Sequence, residues 1–593
     1  MLRDTDNGMA HIIKRKIGNK LYYYAAESAR VNGQPRNVNE VYLGTADNIV
    51  ALITQAKANS KGATPDETAD VGIKKFQVEE FGALWLANQI DKKINVSKII
   101  NDIVKLGRGR KSTISIGDYF LYAAFNRMID STSKNGLAAW YENTAIQCIR
   151  PCKTAALTSD GYWQAWNHVT DDHITKISSA LFSRLAELYP SSKECFFFDT
   201  TNFFTFMASD TDSELAARGK NKEGRYWLRQ VGLALLIDRK NRLPFFYSTY
   251  EGNRHDSKVF QEILDSMLAS LKKNGRDEIT LVFDKGMNSV ENINIIDQTS
   301  GVHFVTTYSP YYAESLTHVD RKKFQLVTTK KNLELAAHGR EDDQMTAYRS
   351  TGIYWGQKRT VIVTYYPPTA RKQRLAFNHK LEKLRAALVE IKERANSKTA
   401  SSRWKKPEFL QKQCQDVFDD LHLPQDLFQI TYPSEEGEKF SFRKDAYRMG
   451  RYIDRFGVNI VITDQDSWTT DEIVQASLDR YMVEDAFRQS KDDDQISMFP
   501  IRHWTDQKIK CHFLSCIIAL SYLRVLEDML ASAGVHITAS TAMKEMQNLH
   551  SCILLKKDLT VQRVYEDPTP IQAEILKAFG YRINACQLQR IAK

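Results

Sequence analysis

Two short apolar runs, each leading directly into an aspartate, constrain this 593-residue chain most: Cys195-Phe196-Phe197-Phe198-Asp199 and Ile279-Thr280-Leu281-Val282-Phe283-Asp284. Runs of this length and composition read as buried strands. For either aspartate alone, a solvated loop or a helix cap is the commonest explanation. Two of them closing two hydrophobic strands point instead to a shared site. Between them, Leu228 to Ile237 and Leu243 to Tyr250 supply two more strands around the turn Asp238-Arg239-Lys240-Asn241. A helix over about 256–273 precedes the second aspartate run, and Val302 to Thr307 gives a fifth strand. In a sheet of three antiparallel strands continued through crossover helices, the first and fourth strands lie side by side. That topology brings Asp199 and Asp284 together.

A third carboxylate, Glu484, sits on a helix predicted over about 470–491, after a strand at Phe456 to Thr463. Carboxylate oxygens are the ligands magnesium and manganese prefer, and two such ions ~4 Å apart stabilise both oxygens of a phosphoryl displacement. The spacings are 85 residues from Asp199 to Asp284 and 200 from Asp284 to Glu484, so the three converge only if the intervening chain loops out of the sheet.

These residues carry a resemblance. Phe198-Asp199-Thr200-Thr201, Gly219-Lys220-Asn221-Lys222-Glu223-Gly224-Arg225, Glu251-Gly252-Asn253-Arg254-His255-Asp256-Ser257 and Phe283-Asp284-Lys285-Gly286-Met287-Asn288-Ser289 resemble successive motifs of the DDE transposases of bacterial insertion sequences. Arg480, Glu484 and Lys491 match that family's Y-x2-R-x3-E-x6-K signature; position 477 is serine, with Tyr481 on the other side of the arginine. The resemblance implies an α/β fold with a ribonuclease H-like catalytic core interrupted by a strand-rich insertion. It also implies metal-dependent phosphodiester cleavage followed by strand transfer, with Asp199, Asp284 and Glu484 as catalytic metal ligands for Mg2+ or Mn2+, as two ions. Arg480, Arg488 and Lys491 would touch phosphates of double-stranded DNA, both element ends and target, in a homodimeric complex. On one helix, Arg480, Glu484, Arg488 and Lys491 share a face. An ordinary surface ion pair between Arg480 and Glu484 is the plainer reading of that spacing.

The remaining chain divides into a small β region (1–60), a helical domain (75–188) that is the candidate for binding DNA ends, the core in two parts (190–309 and 456–535), the insertion (310–455) and a C-terminal helical segment (536–593). Arg108, Arg110 and Lys111 form a basic loop in the helical block, without the G-x4-G-K-[ST] spacing of a nucleotide-binding loop. The aromatic clusters Trp140-Tyr141 and Tyr162-Trp163-Trp166 fit base stacking or, more commonly, a core. A net charge of +10 suits a polyanionic partner or simple solubility. Eight scattered cysteines point to buried thiols in a reducing cytoplasm, and the resemblance implies that this is a bacterial cytoplasm, in association with the nucleoid. The longest nearly apolar run, Phe513 to Leu523, is too short to span a bilayer, so no membrane partner is expected. Two rivals remain: a ribonuclease H-like nuclease that cuts without joining, and a DNA-binding derivative without catalysis.

Overall fold

The computed structural model describes residues 10–17, 20–31, 34–44, 73–105, 114–190, 195–208, 210–220, 224–273, 278–433, 438–557 and 559–591. Two compact units divide the chain, Met1–Gln77 with Ile553–Arg563 and Val78–Cys552 with Val564–Lys593. The first contains an antiparallel sheet of β1 (Ala10–Ile17), β2 (Lys20–Val31) and β3 (Gln34–Gly44), with Ala10 opposite Glu27 and Val31 opposite Gln34. Gln34 and Pro35 open β3, an edge strand, where proline is tolerated.

The second unit is built on a mixed sheet that has ten strands among the described residues. Its centre is β4 (Cys195–Thr205), antiparallel to β5 (Arg229–Asp238), which pairs in turn with β6 (Pro244–Glu251). On the other side of β4 lies β7 (Ile279–Phe283), parallel to it, and then β8 (Val302–Tyr308), parallel to β7. This is the 3-2-1-4-5 order expected from the meander and crossovers. Every residue of Cys195–Phe198 and of β7 is buried, as sheet-centre strands covered on both faces demand. Beyond β8 the sheet continues through β11 (Val458–Thr463) to the hairpin β9 (Thr346–Tyr354) and β10 (Gln357–Tyr365), all antiparallel.

One expectation changes here. Asp199 does not end its strand: the long partner β5 keeps pairing as far as Thr205, while the shorter β7 drops away after the pair Phe197–Val282. The aspartate therefore sits where β4 loses a neighbour on one side only.

The N-terminal part of this unit is helical from Gly82, and the strand Ile73–Glu80 stands where helical periodicity was expected to begin. Helices α1 (Gly82–Ile94), α2 (Ile116–Ile129) and α3 (Asp171–Leu188) share one hydrophobic core with the sheet. Trp140, Tyr141, Tyr162 and Trp166 are buried in it, so the core reading of these aromatics holds. On the sheet, α4 (Asp256–Lys273) provides the crossover from β6 to β7.

The insertion is less strand-rich than expected. Its hairpin extends the main sheet, and the remainder is dominated by α5 (Pro367–Asn396) and α6 (Pro407–Leu421). A second core gathers Phe377, Leu384, Leu388 and Ile391 of α5 with Leu410, Cys414 and Phe418 of α6. That spacing is a helical stripe, and each helix starts on a proline at its first turn, where the absent N–H has no partner to lose. The C-terminal segment, expected to be helical, alternates the helices Ala539–Gln547 and Pro570–Ala578 with the strands His550–Lys556, Val561–Tyr565, Tyr581–Asn584 and Gln587–Arg590. Val561, Ile583 and Leu588 are isolated among polar neighbours, so no helical periodicity marks these strands.

Three helices complete the second core part: α7 (Thr470–Asp479), α8 (Tyr481–Lys491) and α9 (Asp506–Ser532). By length and composition α9 passes as a membrane span, with 94% of its most apolar window buried inside the fold. It packs among α1, α2, α3 and β6, which explains why it is apolar all round.

Candidate active site

Asp199 and Asp284 are set level by strand register. The parallel pairs Cys195–Thr280, Phe196–Leu281 and Phe197–Val282 share an offset of 85 residues, and the same offset carries Asp199 to Asp284. The pairing itself ends at Phe197–Val282, two residues before each aspartate, where the strands are ~4.8 Å apart.

Asp284 follows β7 immediately and is held from the next strand. Thr307 Oγ1 of β8 donates to Asp284 Oδ1 at 2.9 Å, and Thr307 Oγ1 in turn accepts the Lys285 N–H at 3.2 Å. Asn288 donates to the Thr307 carbonyl at 2.9 Å. Ser289 caps the helix Val290–Gln298 by accepting the Asn292 N–H, and the Asn292 amide bridges the Met287 and Ser257 carbonyls at 2.8 and 3.0 Å. The Asp284 turn is thereby tied to the start of α4.

Glu484 arrives on α8, which lays Val483, Ala486 and Phe487 into the core against β4 and leaves Glu484 half-exposed. The helix predicted as continuous over 470–491 is two helices with Arg480 at the junction. Asp479, buried beside it, accepts from Arg239 Nε at 3.0 Å and from Gln475 at 2.7 Å, which pins the bend to the end of β5. Arg480 then reaches two of the predicted carboxylates at once: Nη1 donates to Asp199 Oδ2 at 3.3 Å and Nη2 pairs with Glu484 Oε1 at 2.8 Å. The i,i+4 pair is real, and it is one arm of a bridge that joins residues 199 and 484.

The glycine motif after β6 is structural. A Cβ on Gly252 would lie 1.9 Å from the Gln230 carbonyl oxygen, so only glycine lets this turn pass β5. Tyr250 donates to Asp256 Oδ1 at 3.4 Å; burial, and then the Asp256 charge, push its hydroxyl well above the usual tyrosine range.

Residues 191–521, more than half of the chain, match the family described as Transposase DDE domain. The chain belongs to this family of DDE transposases. A search of curated protein sequences found no match. Among solved structures, the piggyBac transposase synaptic complex with hairpin DNA is similar at 8% identity and a TM-score of 0.36, covering 80% of this chain and 82% of that one. The Mos1 transposase paired-end complex with left transposon end is similar at 10% identity and a TM-score of 0.14, covering 36% and 63%.

In this transposase the remaining predicted residues are distributed more widely. Arg488 is exposed and pairs closely with Asp485 one turn back. Lys491 lies 5.4 Å from the centre of the Phe203 ring on β4. Arg108, Arg110 and Lys111 lie outside the described residues, as do Asn221, Lys222 and Glu223 of the basic motif. Thr307, Arg239 and Asp479 were not anticipated; only the adjacency of Asp479 to Arg480 hinted at any of them.

The donor set suits a hard divalent cation, because all three side chains are carboxylates and two already converge on one cationic group. Among the described residues, no three histidine, cysteine, aspartate or glutamate side chains are gathered closely enough to cage a metal as they stand. The guanidinium of Arg480 occupies the place between Asp199 and Glu484.

Proposed function

We propose that this transposase binds the terminal repeats of a bacterial insertion sequence and catalyses metal-dependent DNA cleavage and strand transfer, on a ribonuclease H-like core. The observation that carries the reading is the bridge from Asp199 through Arg480 to Glu484, beside an Asp284 level with Asp199 in register. Asp199, Asp284 and Glu484 are the residues that would hold Mg2+ or Mn2+, as two ions. When bound, those ions supply Lewis-acid activation of water and stabilisation of the attacking and leaving oxygens.

The chain's own residues do the rest. Thr307 fixes the rotamer of Asp284, and the Arg239–Asp479 pair fixes where α8 begins. Arg480, once its carboxylates are otherwise engaged, offers a planar fork of donors to a phosphate, with Arg488 and Lys491 further along α8. Water attacks the phosphodiester at the element end and releases a 3′ hydroxyl; that hydroxyl attacks a target phosphodiester and displaces its 3′ oxygen. The helical block with Arg108, Arg110 and Lys111 grips the ends, and a homodimer brings two ends together in the bacterial cytoplasm.

The test is incubation of purified protein with DNA carrying the ends that flank its gene and a plasmid target, under magnesium, manganese or chelator, beside Asp284→Ala. End cleavage and joining that need the metal and vanish in the variant are expected. Cleavage without joining favours a nuclease, and binding without cleavage a DNA-binding derivative.

A further inference from the structure

The transposase's positive charge is concentrated in one place. Residues 367–412 hold thirteen lysines and arginines against four glutamates, a net +9, while the whole 593-residue chain carries only +10. Of this excess, +5 lies on α5 and +2 on the short Ser402–Lys405 turn. None of it belongs to the predicted catalytic residues.

Helix α5 turns its apolar stripe, Phe377, Leu384, Leu388 and Ile391, into the second core. At 100° per residue, Arg374, Arg385 and Lys392 fall within about 20° of one another, on a line adjoining that stripe. All three are exposed, and among the described residues none has an ion pair, hydrogen bond or ring contact. Their neighbours behave differently: Arg371 pairs closely with Asp343, Lys380 donates to the Leu421 carbonyl at 2.8 Å, and Arg394 pairs closely with Glu390. With a 1.5 Å rise per residue, Arg374 and Lys392 stand about 27 Å apart along the axis, nearly one ~34 Å turn of duplex DNA. Three unpartnered, exposed cations in a straight row present a linear array of positive charge to a linear polyanion. A rigid helix in a separate core presents them as a ruler.

We infer that α5 is a second DNA-binding surface, which docks the backbone of double-stranded DNA along Arg374, Arg385 and Lys392 without reading its sequence. The inference rests on the transposase reading for its choice of polyanion. It is independent of the carboxylate site. Phosphate contacts of this kind position the duplex and are salt-dependent through counterion release.

The experiment is a salt series of DNA-binding constants on the full chain, with a duplex carrying the element end, for wild type, Arg374→Gln/Arg385→Gln/Lys392→Gln and Asp284→Ala. Each lost phosphate contact flattens the slope of log K against log salt by ~0.9, so the triple variant is expected to lose up to ~2.7 of slope and roughly 100-fold in affinity near 0.15 M salt. A scrambled duplex should lose affinity by the same factor, and Asp284→Ala should bind as wild type. Circular dichroism and melting should be unchanged, since none of the three side chains has a partner to lose. An unchanged slope and affinity in the triple variant, with wild type still binding, overturns the inference and leaves the transposase reading intact. The same holds if the triple substitution alters only self-association, which would assign the row to an acidic protein surface. Loss of binding in the triple variant of a protein that neither cuts nor joins would sink the transposase reading and keep the DNA surface.

Discussion

Replacing Arg480 with glutamine should make the stability of this protein depend on divalent metal. Arg480 is about four-fifths buried and bridges Asp199, itself largely shielded, to the half-exposed Glu484. A shielded charge-assisted hydrogen bond contributes ~1.5–3 kcal/mol, and an exposed i,i+4 pair under ~1 kcal/mol. Loss of both arms costs about 2–3 kcal/mol in chelator, because the charge-assisted bonds to Asp199 and Glu484 are lost together. A cation at 100 times its dissociation constant returns ~2.7 kcal/mol to whichever protein binds it. The variant, free of a competing guanidinium, should bind more tightly than wild type. Denaturant unfolding in chelator and in Mn2+, with Mn2+ binding followed by paramagnetic resonance, reads both effects. The gap between variant and wild type should narrow or close in Mn2+. An equal gap with and without metal, or weaker Mn2+ binding by the variant, would refute the idea that Arg480 holds the place of a cation.

Three further outcomes follow from contacts around the site. Arg524→Leu should cost ~3–5 kcal/mol in denaturant unfolding, because a buried guanidinium that pairs with Asp485 at 3.2 Å and Glu527 at 2.8 Å leaves two shielded carboxylates behind; a loss below 1 kcal/mol contradicts this. Thr307→Val should slow cleavage by up to ~10-fold with DNA affinity unchanged, the rate equivalent of one hydrogen bond of ~1 kcal/mol to Asp284, and Thr307→Ser should restore it. Burial, reinforced by Arg127, holds His512 well below its ordinary pKa, and burial with Lys134 lowers His503 to about 3. Both are neutral when folded, so below the unfolded value near 6.5 the unfolded chain takes up protons the folded one refuses. Stability should then fall as pH drops below 6.5, by ~1.4 kcal/mol per pH unit for His503 toward about 3 and in the same direction for His512, and His512→Asn should flatten the profile of denaturant midpoints measured between pH 7 and 5.

The strands of the catalytic sheet were legible because a buried central strand has to be apolar throughout, and Cys195–Phe198 and Ile279–Phe283 are. Their adjacency followed from connection rules, and the 85-residue offset turns out to be the register itself. The true extent of β4 was hidden, since a strand that pairs on one side past Asp199 carries the polar Asp199-Thr200-Thr201-Asn202 in mid-course. The break at Arg480 was equally invisible: Asp479 bends the helix by pairing with Arg239, 240 residues away. In the insertion the charged sequence at Lys380 to Ala395 reads as a helix, and α5 contains it, but its first three turns, with few apolar residues, carry no such signal. Thr307 gave no local signal, because its role exists only where β8 lies beside Asp284.

The central claim is that Asp199, Asp284 and Glu484 act as one metal-holding unit. Single-turnover end cleavage and joining by Asp199→Asn, Asp284→Asn, Glu484→Gln and their double combinations, with DNA affinity measured alongside, tests it most directly. Each single change should abolish both steps with DNA binding retained, and the doubles should be no worse than the singles, as for residues that work together. Substantial cleavage by any one of the three variants, or additive losses in the doubles, would contradict it.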